Sequence, residues 1–311
     1  MINFRYHVVS LTAVFLALAI GLVVGTAALN GPVADSLSDN VNALRKDNTQ
    51  LRETVNSLRE EVNREEDFVA EAAPILLADK LAGRRLLVLC LPSGRDHAEG
   101  VIAALDLAGA TMTGRIDVQD KFVNPDNSVE LLELATAAAR PTVPTTGLPG
   151  NSDGVETASA LLASALVDRA QPPAVDPADL AAVLDAYGDA GYITVEEPVT
   201  GPAEAVVVVS GQPYVDRDAA KKDAAVVTMV VQFDRISQVV VAGTGSSDGN
   251  LISAVRGDPT LTQSISTVDN GNTTAGQTVA ALATAEQFTL DQAGHYGLGT
   301  GATSLMPKRP E

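Results

Sequence analysis

The strongest pattern along the chain is an apolar run from Val8 to Leu29, VVSLTAVFLALAIGLVVGTAAL, which carries 22 residues and no charge. As a helix it would extend about 33 Å, the thickness of a bilayer core. The next pattern is a heptad. Leu37, Leu44, Leu51 and Leu58 recur every seven residues, with Val41, Asn48, Val55 and Val62 four positions after each. Leu at d with Val at a predicts a parallel two-stranded coiled coil, and one Asn at an a position fixes register. The g-to-e′ pair Asp47 and Arg52 is attractive and Glu61 and Glu66 repulsive, so the coil is expected to fray near Glu65. A single amphipathic helix packed on its own globular part, and a coil with a different protein, remain alternatives.

From Arg84 onward short apolar runs alternate with helical patterns. Strands are expected at Leu86 to Leu91, Thr111 to Val118, Tyr192 to Glu196, Ala205 to Ser210, Gln238 to Ala242 and Ser264 to Val268. Helices are expected at Ala98 to Gly109, Val129 to Ala139, Val155 to Arg169, Pro177 to Ala190, Ala219 to Phe233, Gly249 to Val255 and Thr274 to Gln287, with Pro- and Gly-rich connections at Pro141 to Gly154 and Gln171 to Pro177. Runs such as AVVVV at Ala205 to Val209 are apolar on both faces, as parallel strands under helices must be. The fold class is therefore α/β: a transmembrane helix and a coiled-coil helix, then a three-layer α/β/α, Rossmann-like domain with a mainly parallel sheet. The expected division is 1–7 a short cytoplasmic N-terminus, 8–29 a transmembrane signal anchor, 30–83 coil and connector, 84–291 an extracytoplasmic α/β domain, and 292–311 a flexible tail.

Charge adds a direction to this plan. The chain carries a formal −18, yet its first 29 residues hold one Arg and no acid. Arg5 before the run and Asp35 and Asp39 after it place the N-terminus in the cytoplasm of a plasma membrane, with the bulk of the chain outside. A cleaved signal peptide is the alternative, but the run exceeds the usual apolar length and no A-x-A-like site follows. Gly21 and Gly25 form a G-x-x-x-G spacing that permits close helix approach. The acidity makes nucleic acid an improbable partner, and the lone Cys90 excludes an internal disulfide.

Candidate chemistry is sparse. Gly243, Gly245, Ser246 and Gly249 lie in a loop between a strand and a helix, with Asp269 ending the next strand, which is where nucleotides bind in such sheets. The spacing departs from the dinucleotide fingerprint, and a tight turn with Asp248 as a helix cap explains it equally. Ser93-Gly94 and Ser210-Gly211 would line the same sheet edge. For metals, His97 beside Asp96 and Glu99, and Cys90 inside an apolar strand, are the weak candidates. The residues reveal no catalytic set, so the expectation is a non-enzymatic protein without a cofactor.

The opening MINFRYHVVSLTAVFLALAIGLVVGTAAL, the coil behind it, and SISTVDNGNTTAGQTVAALA at Ser264 to Ala283 closely resemble the actinobacterial MctB family, described as copper transport outer membrane proteins, with its corynebacterial member SteB. The resemblance implies a cell-envelope protein tied by name to copper transport or homeostasis. For the SteB branch it implies partnership with the membrane protein SteA in cell separation through peptidoglycan hydrolysis. It supplies no ligand set. Anchor, coil and rigid head suit an adaptor that pairs as a homodimer or hetero-oligomer, with copper transport and a small-molecule-binding head as the alternatives.

Overall fold

A computed structural model describes residues 4–29, 32–150, 153–168 and 174–308. The chain divides into two compact units, Met1–Glu65 and Glu66–Glu311. The first holds helix α1 (Phe4–Leu29) and the larger part of α2 (Pro32–Leu77). Phe4–Ala27 is long and apolar enough to cross a membrane, so residues 4–7, expected as a cytoplasmic end, are already helical; residues 1–3 lie outside the described residues. Inside α1 the hydroxyls of Thr12 and Thr26 donate to the carbonyls of Val8 and Leu22, which satisfies both polar groups without water. In α2 the heptad residues Leu37, Leu44, Leu51, Leu58, Val41, Val55 and Val62 are all exposed. The helix does not break near Glu65.

The second unit is a seven-stranded sheet: β1 (Arg85–Cys90), β2 (Thr111–Val118), β3 (Ile193–Glu197), β4 (Ala205–Val209), β5 (Gln238–Ala242), β6 (Ile265–Val268) and β7 (His295–Tyr296). Their spatial order is β3-β2-β1-β4-β5-β6-β7. Every pairing is parallel except that of β2 with β3. Alternation along each strand makes two cores. Leu87, Leu89, Val206, Val208, Val239 and Val241 face one side, covered by α4 (Asp120–Val123), α5 (Ser128–Ala138), α6 (Gly154–Leu166), α7 (Pro177–Asp189), α8 (Ala219–Asp234) and α9 (Leu251–Gly257). Leu86, Val88, Cys90, Val207, Val209 and Val240 face the other, covered by α3 (Arg95–Leu107), α10 (Thr274–Leu290) and the end of α2. This is the expected three-layer α/β/α architecture.

Local chemistry sets the helix ends. Asp153, Asp176, Asn250 and Thr273 each accept a bond from a main-chain N–H of the first turn they precede, and Pro177 occupies a first-turn position whose N–H has no helical acceptor. The Glu66 carboxylate accepts from the Thr274 N–H at 2.7 Å, a second acceptor at the positive end of α10.

The head differs from expectation at both of its borders. It begins at Glu66 and not at Arg84, because Ala73, Leu77 and Leu81 are buried in its second core. The segment from Gln292 onward is not a loose tail: His295–Tyr296 extends the sheet beside β6, and the Ser304 carbonyl accepts from the Gly297 N–H. Residues 30, 31, 151, 152, 169–173 and 309–311 lie outside the described residues, including parts of the expected connections at 141–154 and 171–177 and the expected helix end at Arg169.

Candidate functional site

In a doubly wound sheet the ligand crevice opens where the strand order reverses, here between the C-terminal ends of β1 and β4. Both ends are pinned together. The Leu91 N–H donates to Val209 O at 2.9 Å, and the Gly211 N–H donates to Ser93 Oγ at 3.0 Å. The approach is so close that a Cβ on Gly211 would overlap the Ser93 carbonyl, and one on Gly94 the Val209 carbonyl. A cavity of about 20 Å³ remains among Ser93, Ser210, Gly211, Tyr214 and Gly249, space for about one water.

The glycine loop is equally committed. Gly243 N–H donates to Val268 O at 2.8 Å, Gly245 N–H to Asp269 O at 2.6 Å, and Gly271 N–H to Gly243 O at 2.7 Å, so the amides of Gly243 and Gly245 already have partners and do not serve a phosphate. Gly245 and Gly249 take left-handed φ values of 74° and 82°, which glycine tolerates without a Cβ clash. The helix cap is Asn250 and not Asp248: its Oδ1 accepts from Ile252 N–H at 2.8 Å while its Nδ2 reaches Gly211 O and Thr244 O. Ser246 lies beneath Gly299, where a Cβ would overlap its hydroxyl.

What closes this edge is Asp269 with a residue the sequence did not single out, Arg256. Their side chains are 3% and 4% exposed, and Arg256 Nη1 lies 2.7 Å from Asp269 Oδ2. The same guanidinium donates to Thr267 Oγ1, Thr300 O and Tyr296 O, and the carboxylate accepts from the N–H groups of Leu298 and Gly299 at 2.8 and 2.9 Å. His295 joins the network. The Thr262 carbonyl can only accept, so His295 Nε2 carries the proton and Nδ1 accepts from Thr267 Oγ1 at 2.9 Å. Burial, seconded by the Arg256 charge against the Thr262 bond, holds its pKa below the ordinary value. The one available signal was the spacing Gly297, Gly299, Gly301, which lets main chain pass close over Asp269, Ser246 and Arg256.

The metal candidates stand on different elements. Cys90 ends β1, in register with Asp117 on β2. Its thiol is pushed up to about 12, by burial first and then by the Asp117 charge, against smaller opposing effects of Arg115 and Arg95. Asp117 is held by Arg115 at 2.8 Å and by Arg95 at 3.8 Å, and Arg115 also pairs with Glu99. His97 stands on the first turn of α3. Among the described residues no group of three or more His, Cys, Asp or Glu converges. The protonated thiol predicts that Cys90 resists alkylation in the folded protein at pH 8 and reacts only after unfolding; rapid stoichiometric labelling of native protein would contradict this.

Comparison with known proteins places the fold in a family. Residues 1–307 match the family described as "Copper transport outer membrane protein, MctB". Proteins named "Copper transporter MctB" from Mycobacterium tuberculosis and Mycobacterium leprae are 28% and 30% identical, over 312 and 315 residues, covering 98% of this chain and 99% of each relative. With the resemblance reaching from the apolar helix through the Arg256–Asp269 closure, the chain belongs to the MctB family.

Proposed function

We propose that this protein is a single-pass, membrane-anchored envelope adaptor that acts without catalysis, its α1 in the plasma membrane with the N-terminus cytoplasmic, and its α2 seam pairing with a second helix. The observation that carries this reading is the exposed seam of Leu37, Val41, Leu44, Asn48, Leu51, Val55, Leu58 and Val62 directly behind the apolar helix. The part of α2 before Glu66 carries a two-in-seven apolar stripe on an exposed helix, and such a stripe needs a partner to bury it. In the SteB-like form of this reading, the partner is a SteA-like membrane protein and the output is control of cell separation and peptidoglycan hydrolysis. Charging Leu44, Leu51 and Val55 together, each to Glu, should remove the oligomer or partner from cross-links. Losing three buried apolar side chains at about 1.5–3 kcal/mol each weakens association by more than a hundredfold. An unchanged cross-linking pattern would discard the adaptor.

The second reading is copper transport or homeostasis, supported by the name that the mycobacterial relatives carry. It predicts copper retained stoichiometrically by the purified protein, lost on changing His97 or Cys90, and copper sensitivity in a deletion strain. Metal-free protein together with normal copper tolerance would decide against it.

A further inference from the structure

The seam of α2 has the shape of its own partner. Its exposed side chains enclose a depression lined by Val41, Leu44, Arg45, Asn48, Thr49 and Arg52. Val41, Leu44, Arg45 and Asn48 stand at a, d, e and the next a, the four corners of a hole that receives a d-position knob from a facing parallel helix. On an identical helix in register, the residue at that level is Leu44 itself. Each layer of such a pair matches like with like: Leu37, Leu44, Leu51 and Leu58 meet their own copies, as do Val41, Val55 and Val62, and Asn48 meets Asn48. A seven-residue slip would set each Asn48 carboxamide against a valine, leaving a desolvated polar group without a partner.

The flanks of the seam fix its direction. The e edge carries Arg45, Arg52 and Arg59, all exposed, and the g edge carries Asn40, Asp47, Thr54 and Glu61. In a parallel pair g faces e, so Arg52 gains Asp47 of the other copy, while Arg45 and Arg59 meet Asn40 and Thr54, whose side-chain oxygens accept hydrogen bonds. In an antiparallel pair the e edges run along each other, three arginines beside three, a like-charge juxtaposition. The repulsive pairing of Glu61 with Glu66 sits where the seam ends: the Glu66 carboxylate is spent on the Thr274 N–H, and Ala73 and Leu77 are buried in the head of their own chain. The helix ahead of the seam is built for the same neighbour. Ala13, Ala17, Gly21 and Gly25 recur every four residues along α1, and a Cβ on either glycine would meet nothing within 4 Å. The packing of the chain itself does not call for these glycines; close approach of an identical membrane helix does.

We propose that the occupant of the seam is a second copy of this chain, parallel and in register from Leu37 to Val62. The proposal rests on the reading of the seam as a partner-binding face and narrows that partner to the chain itself. Copies anchored through α1 cross the membrane in one sense, so their coils leave it already parallel.

The test is disulfide trapping with oxidised glutathione in membranes that carry the full-length chain. Leu58→Cys and Val41→Cys are the probes, and Glu60→Cys, on the opposite face of the helix, is the control. A disulfide requires Cα atoms within about 7 Å of each other. Two copies of position 58 satisfy this in register, whereas a slip of seven residues parts them by about 10 Å and antiparallel pairing by about 25 Å. Each probe should yield covalent dimer at least about tenfold above the control and above the unsubstituted chain, whose Cys90 is buried. Probes at both ends of the seam keep the result readable should one substitution loosen the coil. Dimer from neither probe would overturn the proposal. So would preferential linkage of position 41 to position 58 when the two variants are co-expressed, which would make the pair antiparallel. If neither probe dimerises but cross-linking of the unsubstituted chain captures another protein, lost with Leu44, Leu51 and Val55 all changed to Glu, the second copy is refuted and the adaptor reading survives; if that capture also fails, both fall.

Discussion

Replacing Arg256 with Met should destabilise the head by about 3–5 kcal/mol, because it strands the buried Asp269 carboxylate without its counter-charge. For a domain of this size that is a fall in melting temperature on the order of 10 °C. Four acceptors lose a donor together: Asp269 Oδ2, Thr267 Oγ1, Thr300 O and Tyr296 O. Two of them, Tyr296 O and Thr300 O, tie residues 296–300 to α9, so limited proteolysis should cut the variant near Leu298 before the rest of the head. Adding Asp269→Asn removes the stranded charge while keeping an acceptor for Leu298 and Gly299 N–H, and should recover part of the loss. A single variant melting with the wild type would mean the C-terminal segment is held by something else.

Gly211→Ala is expected to cost about 3 kcal/mol, the upper part of the usual range for overpacking, or to prevent folding. The added methyl meets the Ser93 carbonyl, which is main chain fixed between β1 and α3 and cannot rotate away as a side chain would. Relief requires parting the ends of β1 and β4 and breaking the bonds Leu91 N–H to Val209 O and Gly211 N–H to Ser93 Oγ. Gly257→Ala, where a Cβ meets nothing within 4 Å, supplies the contrast: denaturant unfolding should find it within about 1 kcal/mol of wild type, with the helix-propensity gain in its favour. Equal effects at the two glycines would show that the crevice is not sealed by main-chain contact.

Much of the head was legible because its strands are apolar on both faces. AVVVV at Ala205–Val209 and VVVA within Gln238–Ala242 leave little choice but a buried parallel strand, and the observed limits fall within one or two residues of expectation. β7 was not legible: two residues, His295 and Tyr296, carry no period, and Gly and Pro around them read as loop. The site residues divide in the same way. The heptad could be written down from spacing alone, since each member repeats locally along one helix. Whether the amides of Gly243 and Gly245 are free could not, because their acceptors are supplied by β6 and the residue just after it. Arg256 falls one residue past the expected helix end at Val255, with no partner in its own stretch of sequence; only the fold brings it under Tyr296 and Thr300.

The sheet order has a kinetic consequence. Leu86 in the interior strand β1 pairs with Met112 on one side and with Ala205 on the other, so when β1 and β2 have joined, the LLVLC edge must wait for all of α4 to α7 and β3 before β4 covers it. An apolar strand edge left open during synthesis invites pairing with the wrong chain. The Arg256–Asp269 lock forms later still, after the last strand has been made. Folding of the head should therefore be slow for its stability and sensitive to crowding of nascent chains.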